Sequence, residues 1–204
     1  MATLLHIDVS ANIQSSVSRM LSAEFVKQWK EKNPNDTVEV LDLAKNPVPM
    51  IDTDHLVATW GDDAALTEGQ RQSKADSARL VDQLVAADAI VIGSPVYNLF
   101  IPAGLKAYID QVVIAGKTFQ YGANGPVGLL HNKKAFVLFA GGSPVEGLNA
   151  AGLNFFEPYM KAILGFIGIE SVTTMYVAAR TREAAADELE KLKPQIAAAI
   201  SVQP

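Results

Sequence analysis

Short apolar runs alternate with longer amphipathic stretches along the whole chain. The first run, Thr3–Val9, predicts a strand, and Leu21, Phe25 and Trp29 recur at helical spacing in the stretch that follows it. The apolar runs lack a strict alternation of apolar and polar residues, as expected for strands that are buried on both faces. Four further strands are predicted at Thr37–Leu43, Ala89–Gly93, Ala135–Phe139 and Ser171–Val177.

The stretches between these runs predict helices. Thr67 and Gln70 have the spacing of a capping box, so we expect a helix from there to about Ala87, with three residues on its inner face: Leu80, Leu84 and Val85. Residues 44–51 are expected to form a loop, and the stretch from there to Leu66 to be irregular or partly helical. Residues 116–132, rich in Gly, Asn and Pro, are expected to form a long excursion. Other helices are predicted over Ser18–Lys32, Ala103–Val113, Phe155–Gly165 and Arg182–Ile200.

Strands and helices alternate five times without a break in composition. This order predicts a single α/β domain over residues 1–204, with a parallel sheet covered by helices on both faces. Five such units most often wind in the strand order 2-1-3-4-5, and ligands then bind outside the carboxyl ends of strands 1 and 3. The loops Ser10–Val17 and Ser94–Pro102 therefore form the two walls of the predicted site.

Composition excludes several kinds of function. The net charge is −5 with no run of Lys or Arg, which argues against nucleic-acid binding, and the absence of cysteine excludes disulfides, zinc–thiolate sites and thiol nucleophiles. His6, His55 and His131 lack the spacing of metal ligands, so no metal site is expected. No leader and no apolar run of about 18 residues is found, so we expect a cytoplasmic protein without a membrane span.

The loop after the first strand, SANIQSSVSRM, is polar and leads directly into a helix. The free N–H groups at a helix start favour a phosphate, and the hydroxyls of Ser10, Ser16 and Ser18 would add donors. The loop contains no glycine, so it matches neither dinucleotide nor P-loop fingerprints and suits a terminal monophosphate better than a pyrophosphate. The alternative is that these serines only cap the helix, a common position for them.

The loop after the third strand combines Tyr97 and Asn98 with the apolar Leu99, Phe100 and Ile101. An aromatic ring, an amide that donates and accepts, and apolar surface are suited to a flat heteroaromatic ring with polar edges. The alternative is that Tyr97 and Asn98 only form a turn, because Asn tolerates left-handed backbone.

Two glycines, Gly141 and Gly142, follow the fourth strand at the same edge of the predicted sheet. Glycine lets the backbone approach a ligand closely, although an ordinary tight turn would also use it. Their position at the ligand-binding edge favours a ligand contact.

Four segments together resemble the FMN-dependent NADH:azoreductases, flavodoxin-like enzymes that also reduce quinones. The segments are FVKQWKEKN in the first helix, LDLAKNPVP after the second strand, PVYNL with the downstream P, LK and YID after the third, and LGFIGI before the fifth. The similarity extends over nearly the whole length and implies a flavodoxin-like three-layer sandwich with its five-stranded parallel sheet in the order 2-1-3-4-5.

The resemblance also implies a cofactor and its ligands. One FMN is expected per subunit, with NADH or NADPH as electron donor and no dedicated catalytic residue, because the flavin performs the chemistry. The implied FMN contacts are Ser10, Ser16, Val17 and Ser18 at the phosphate, Pro95, Val96, Tyr97, Asn98 and Leu99 along the ring, and Ala140, Gly141, Gly142 and Ser143 at its pyrimidine side.

Members of this family are homodimers with flavin sites at the subunit interface. The resemblance therefore implies a homodimer and assigns substrate contacts to three aromatic residues that we expect to be exposed: Phe100, Phe119 and Tyr121. The chain has Val96, Leu99 and Phe139-Ala140 where many members have Met, Phe and Ser-Arg. The last of these differences leaves the substrate range and the choice between NADH and NADPH open.

Three hypotheses about function follow. The first is an FMN enzyme that passes two electrons from a nicotinamide to quinones or azo compounds by ping-pong transfer at one site. The second is a flavodoxin-like electron carrier without a small-molecule substrate, although carriers are usually far more acidic than a net charge of −5. The third is a flavin-free interaction protein on the same fold.

Overall fold

A five-stranded parallel sheet forms the centre of the computed structural model, which describes residues 1–201 apart from the side chain of Arg182. Its strands follow the order β2-β1-β3-β6-β7, which confirms the predicted order 2-1-3-4-5. Two further strands pair with each other as an antiparallel hairpin. The strands are β1 (Thr3–Asp8), β2 (Thr37–Asp42), β3 (Ala89–Pro95), β4 (Phe119–Gly122), β5 (Gly125–Gly128), β6 (Lys134–Gly141) and β7 (Ser171–Ala178).

Helices cover both faces of the sheet and complete a three-layer sandwich. They are α1 (Val17–Lys32), α2 (Thr53–Trp60), α3 (Glu68–Ala86), α4 (Ala103–Val112), α5 (Val145–Ala150), α6 (Phe156–Phe166) and α7 (Arg182–Ser201). One core cluster joins the sheet to α3, α4 and α6, and the other joins it to α1 and α7. Neighbouring residues of β6 divide between the two clusters: Val137 and Phe139 face the first, whereas Phe136 and Leu138 face the second. Both faces of the central strands are therefore apolar, which is why β3 and β6 have buried apolar residues without a strict alternation.

The capping box at the start of α3 is confirmed. Thr67 Oγ1 accepts the N–H of Gln70 at 3.3 Å, and Gln70 Oε1 accepts the N–H of Thr67 at 3.0 Å. The predicted inner face was wrong at one position, because Val85 is 45% exposed and Val81 lies in the core instead. Together with the buried Leu80 and Leu84, Val81 keeps the three- and four-residue spacing of a helix face.

The excursion after α4 contains the β4–β5 hairpin. Gly128 at the end of β5 packs directly on the backbone of Gly168, where an added Cβ would overlap the Gly168 nitrogen. Leu130 donates its N–H to the carbonyl of Ile167 at 2.8 Å and fixes the hairpin base to the end of α6. The tip, by contrast, is exposed at residues 122–124.

The aromatic side chains of this hairpin differ in exposure. The expectation that Phe119 is exposed was wrong: it is 7% exposed, because its ring packs on Phe166 with centroids 4.7 Å apart. Tyr121 is 75% exposed, as expected.

The stretch from Ile51 to Leu66 is partly helical, as expected. Asp52 caps α2 by accepting the N–H of His55 at 2.8 Å, and a 3-10 turn follows at Asp63–Ala65. Within residues 1–201, every helix is too short or too polar to span a membrane.

Candidate functional site

Three loops meet at the carboxyl edge of the sheet, because β1, β3 and β6 are neighbours. Val9 donates its N–H to Gly93 O at 3.1 Å, and Val96 donates to Ala140 O at 2.8 Å. The loop after β1 therefore adjoins the loop after β3, which adjoins the loop after β6. The sequence predicted these three segments as the site, and the topology brings them together.

The start of α1 offers hydrogen-bond donors without protein partners. Ser16 is the N-cap, and its Oγ accepts the N–H of Arg19 at 3.4 Å and lies 3.0 Å from Ser18 Oγ. Across residues 1–201, no acceptor is found for the backbone N–H groups of Val17 and Ser18. Ser10 and Ser18 are buried, whereas Ser16 is partly exposed. Serine acts here as a cap, and the helix start still presents free donors.

Arg19 ties this loop to the sheet beneath it. Its Nε and Nη2 donate to Ser10 O at 3.1 and 2.8 Å, and its Nη1 and Nη2 donate to the Asp42 carboxylate at 2.8 and 2.7 Å. Nη1 also lies 3.3 Å from Asp8 Oδ2. The guanidinium thus pairs with protein carboxylates, so a phosphate at the start of α1 would be bound by neutral donors.

Hydrogen bonding by Arg19 lowers the pKa of Asp42 to about 2, and the N–H groups of Lys45 and Ala44 act in the same direction. Asp42 raises the pKa of the Arg19 guanidinium in return. Sequence reasoning missed this cluster. The signal was present, because Asp8 and Asp42 end two adjacent strands at the same register and two buried carboxylates require a cation.

Gly93 sets the distance between α1 and β3. An added Cβ there would lie 2.7 Å from Ser22 Oγ and 2.9 Å from Ser18 O, so only glycine admits the helix this close to the strand. Gly93 thereby places the start of α1 next to the loop after β3.

The loop after β3 is a tight two-residue turn. Tyr97 and Phe100 exchange two backbone hydrogen bonds of 3.0 Å, and the central residues Asn98 and Leu99 have φ of 50° and 68°. Left-handed backbone is expected of Asn but costs about 1–2 kcal/mol for a residue such as Leu. The predicted turn is present and Asn98 has left-handed backbone, but residue type does not explain Leu99 at the second central position, and whether Asn98 also meets a ligand stays a prediction.

The side chains of this turn point partly outward. Tyr97 is 43% exposed, Asn98 is exposed, and no residue within the described chain hydrogen-bonds the Asn98 amide. Phe100 is half-buried against Tyr159, with ring centroids 4.9 Å apart, and Ile101 is buried in the core. The turn therefore presents one ring and one free amide.

The two glycines after β6 have different neighbours. A Cβ at Gly141 would overlap the hydroxyl of Tyr176, so the close approach that needs glycine here is made by the chain itself. A Cβ at Gly142 would meet only Arg180 Cγ, at 3.8 Å, and this residue is exposed.

The residues of these three loops fit FMN on two counts. Unpartnered N–H groups and the Ser16 hydroxyl suit a phosphate monoester at the start of a 16-residue helix. The exposed Tyr97 ring and free Asn98 amide suit the face and polar edge of a flat heterocycle. Among residues 1–201, no group of His, Asp or Glu is arranged to hold a metal ion.

Comparison with known proteins places the chain in a family. The profile of the family described as "Flavodoxin-like fold" matches residues 2–200. An FMN-dependent NADH:quinone oxidoreductase from Nostoc sp. is 43% identical over 178 residues, which is 86% of this chain and 86% of that protein. The chain belongs to this flavodoxin-like oxidoreductase family. The resemblance read from the sequence motifs is confirmed.

Solved structures agree with this family assignment. The azoreductase from Bacillus anthracis str. Sterne superposes with a TM-score of 0.86 at 31% identity, over 97% of this chain and 100% of that one. An FMN-dependent NADH-azoreductase from Bacillus anthracis str. Ames Ancestor, in complex with FMN, gives a TM-score of 0.82 at 28% identity over the same shares.

Proposed function

We propose that this chain, acting as one domain, is an FMN-dependent oxidoreductase that reduces quinones and azo compounds with NADH. The observation that carries the proposal is the set of unpartnered donors at the start of α1 beside the exposed Tyr97–Asn98 turn, in a chain of this family. Bound FMN would supply the two-electron redox chemistry, accepting electrons from NADH and passing them to the acceptor.

The residues of the chain bind and orient the cofactor in this proposal. Ser16 and the N–H groups of Val17 and Ser18 hold the phosphate, with Ser10 beneath them. The ring lies along Pro95–Leu99, where the Asn98 amide meets its polar edge. Its pyrimidine side faces Ala140–Ser143. Phe100 and Tyr121 border the space for the substrate, and the buried Phe119 supports Tyr121 from below, with ring centroids 5.4 Å apart.

The test is to purify the protein and add NADH without oxygen. A yellow protein that bleaches at once, and turns yellow again when a quinone is added, supports the proposal. A yellow protein that NADH does not bleach would be an electron carrier instead. A protein that is colourless as purified and takes up no FMN would overturn both. Repeating the titration with NADPH measures the nicotinamide preference.

We further propose that donor and acceptor use the same space in turn. The sequence offers one ligand-binding edge and no dinucleotide fingerprint that would form a separate NADH pocket, so NADH must leave before the acceptor binds. Double-reciprocal plots at several acceptor concentrations should then be parallel, with the acceptor competing against NADH at high concentration. Intersecting lines would show that both ligands bind together.

A homodimer is the proposed assembly. Apolar residues cluster on α2 and the segment before it, where Met50 is 75% exposed and Trp60 is 69% exposed, together with Ile51, Leu56 and Val57. An exposed apolar patch of this kind usually marks an interface. Light scattering at micromolar concentration should give twice the mass of the chain, and a fully active monomer would contradict the proposal. The cytoplasmic location stays a prediction.

A further inference from the structure

Three consecutive carbonyl groups in the loop after β6 are held by the end of β7. Gly141 O accepts the N–H of Ala179 at 2.9 Å, Gly142 O accepts Arg180 Nε at 3.0 Å, and Ser143 O accepts Tyr176 Oη at 2.8 Å. One backbone N–H and two side chains from one short segment thus fix the orientation of three successive peptide groups.

This arrangement decides where the neighbouring N–H groups point. The peptide bonds are trans, so each N–H points opposite to the carbonyl of the preceding residue. Because the carbonyls of Gly141 and Gly142 turn toward β7, the N–H groups of Gly142 and Ser143 turn away from it. Neither N–H has an acceptor among the residues that the structure describes.

We propose that the end of β7 holds the Gly142 and Ser143 N–H groups toward the cofactor space, with Tyr176 and Arg180 as positioning residues. Arg180 fixes the peptide group that carries the Ser143 N–H, and Tyr176 fixes the next carbonyl, that of Ser143 before Pro144, so that the loop cannot rotate at that end. The inference rests on the proposed function, in which this loop meets the pyrimidine side of FMN. Sequence reasoning assigned the glycines to this side but named nothing that orients their amides.

Tyr176 is suited to this role. Its ring stacks on Phe156 with centroids 5.6 Å apart and an interplanar angle of 24°, so the hydroxyl is held in place. Burial raises the pKa of Tyr176, which keeps the hydroxyl protonated as a donor. Gly141 belongs to the same device, because a Cβ there would overlap Tyr176 Oη and push it from Ser143 O.

The experiment compares two substitutions that each remove one tyrosine hydroxyl. Tyr176→Phe deletes the bond to Ser143 O, whereas Tyr108→Phe, the matched control, deletes a core hydroxyl that has no partner within the described chain. FMN dissociation is measured by diluting each holoenzyme and following the fluorescence of released FMN. We expect the Kd to rise about threefold to tenfold in Tyr176→Phe, as for one lost hydrogen bond, and to stay unchanged in Tyr108→Phe.

A second readout needs no bound FMN. The backbone amide resonances of Gly142 and Ser143 should shift or broaden in Tyr176→Phe and in Arg180→Met, and should stay in place in Tyr108→Phe. An unchanged Kd in Tyr176→Phe, or unmoved resonances in both variants, overturns the inference. If the wild type takes up no FMN, the proposed function fails, and the resonances still decide whether Tyr176 and Arg180 orient the loop.

A double substitution tests the link to Gly141. Gly141→Ala alone should weaken FMN binding, because the new Cβ displaces the Tyr176 hydroxyl. In the Tyr176→Phe background that overlap is gone and the nearest ring atom is Cζ, at 3.1 Å. Gly141→Ala should therefore add little further loss there. Fully additive effects would show that Gly141 and Tyr176 act separately, contrary to the inference.

Discussion

Two loops at the same edge of the sheet are held in different ways. The loop after β1 is tied down by buried charges, since Arg19 joins its Ser10 carbonyl to Asp8 and Asp42. The loop after β6 is held mostly by neutral groups, with Tyr176 as a donor to Ser143 O. A buried ion cluster loses much when one member is removed, because the others stay charged without partners. Removing a neutral hydrogen bond lowers the stability less, and the strength of such a bond does not change with acid. Substitutions on the proposed phosphate side should therefore lower the stability of the protein more than substitutions on the proposed ring side.

The largest effect is expected when the charged anchor of the loop after β1 is removed. Arg19→Met removes the buried guanidinium that pairs with both Asp8 and Asp42, so we expect the free energy of unfolding to fall by about 3–5 kcal/mol. Urea unfolding measures the change. The control is Arg71→Met, because Arg71 pairs with Glu68 at the surface, where both side chains are more than half exposed. An Arg19 variant that is as stable as the control would show that the cluster is not a stabilising anchor.

The second largest effect is a difference between the two loops in how acid changes their contribution to stability. The pKa of Asp42 is about 2 in the folded chain and 3.8 without its partners, so its contribution is present above pH 4 and is lost as the pH falls toward 2. The difference corresponds to about 2 kcal/mol. Asp42→Asn should be less stable by about this amount at pH 7 and should lose less between pH 4 and 2. Equal acid dependence in both proteins would assign the effect to other carboxylates.

A third pair of substitutions tests the neutral hydrogen bond of the loop after β6. Tyr108 is 3% exposed, and its hydroxyl finds no partner among residues 1–201, whereas Tyr176 has one. Removing an unpartnered buried hydroxyl relieves its desolvation, so Tyr108→Phe should raise the free energy of unfolding by about 1 kcal/mol. Tyr176→Phe should lower it by a similar amount. Thermal unfolding of the two variants gives the signs, and a destabilised Tyr108→Phe would reveal an unseen hydrogen bond.

The smallest effect concerns a second cation on the same carboxylate. Lys45 Nζ lies 3.7 Å from Asp42 Oδ2, but the Lys45 side chain is 59% exposed. Exposed pairs are screened by water, so Lys45→Ala should change stability by less than about 0.5 kcal/mol. A loss comparable with that of Arg19→Met would mean that burial does not decide the strength of these pairs.

Much of the fold could be predicted because the local signals agree with the tertiary structure. The five apolar runs became the five strands of the sheet, and the Thr67–Gln70 capping box opened α3. Phe119 was placed wrongly, because its burial depends on Phe166, a contact across 47 positions of sequence. Periodicity within a segment carries no information about such a distant partner.

The candidate site also contains features that the sequence predicts and features that it does not. Its three loops follow from strand order alone, and Ser16, Asn98 and Gly142 could be named from residue type. Arg19 and Tyr176 could not, since each acts through a partner on another element: Asp42 for Arg19, and the Ser143 carbonyl for Tyr176. Residue type indicates which side chains can meet a ligand, whereas the residues that orient them emerge only from the packed chain.

The β4–β5 hairpin has a consequence for how the sequence can change. Its base is fixed at Gly128 and Leu130 against the end of α6, so substitutions there meet backbone. Its tip is exposed at residues 122–124, and even at Gly122 an added Cβ would meet only the hairpin itself, at Val127 Cγ2 and Gly125 O. Because the entropy of closing a loop rises by only about 0.6 kcal/mol for each doubling of its length, the tip can accept inserted residues at little expense to folding. The hairpin tip is therefore a suitable position for inserting peptide tags or segments that contact further substrates.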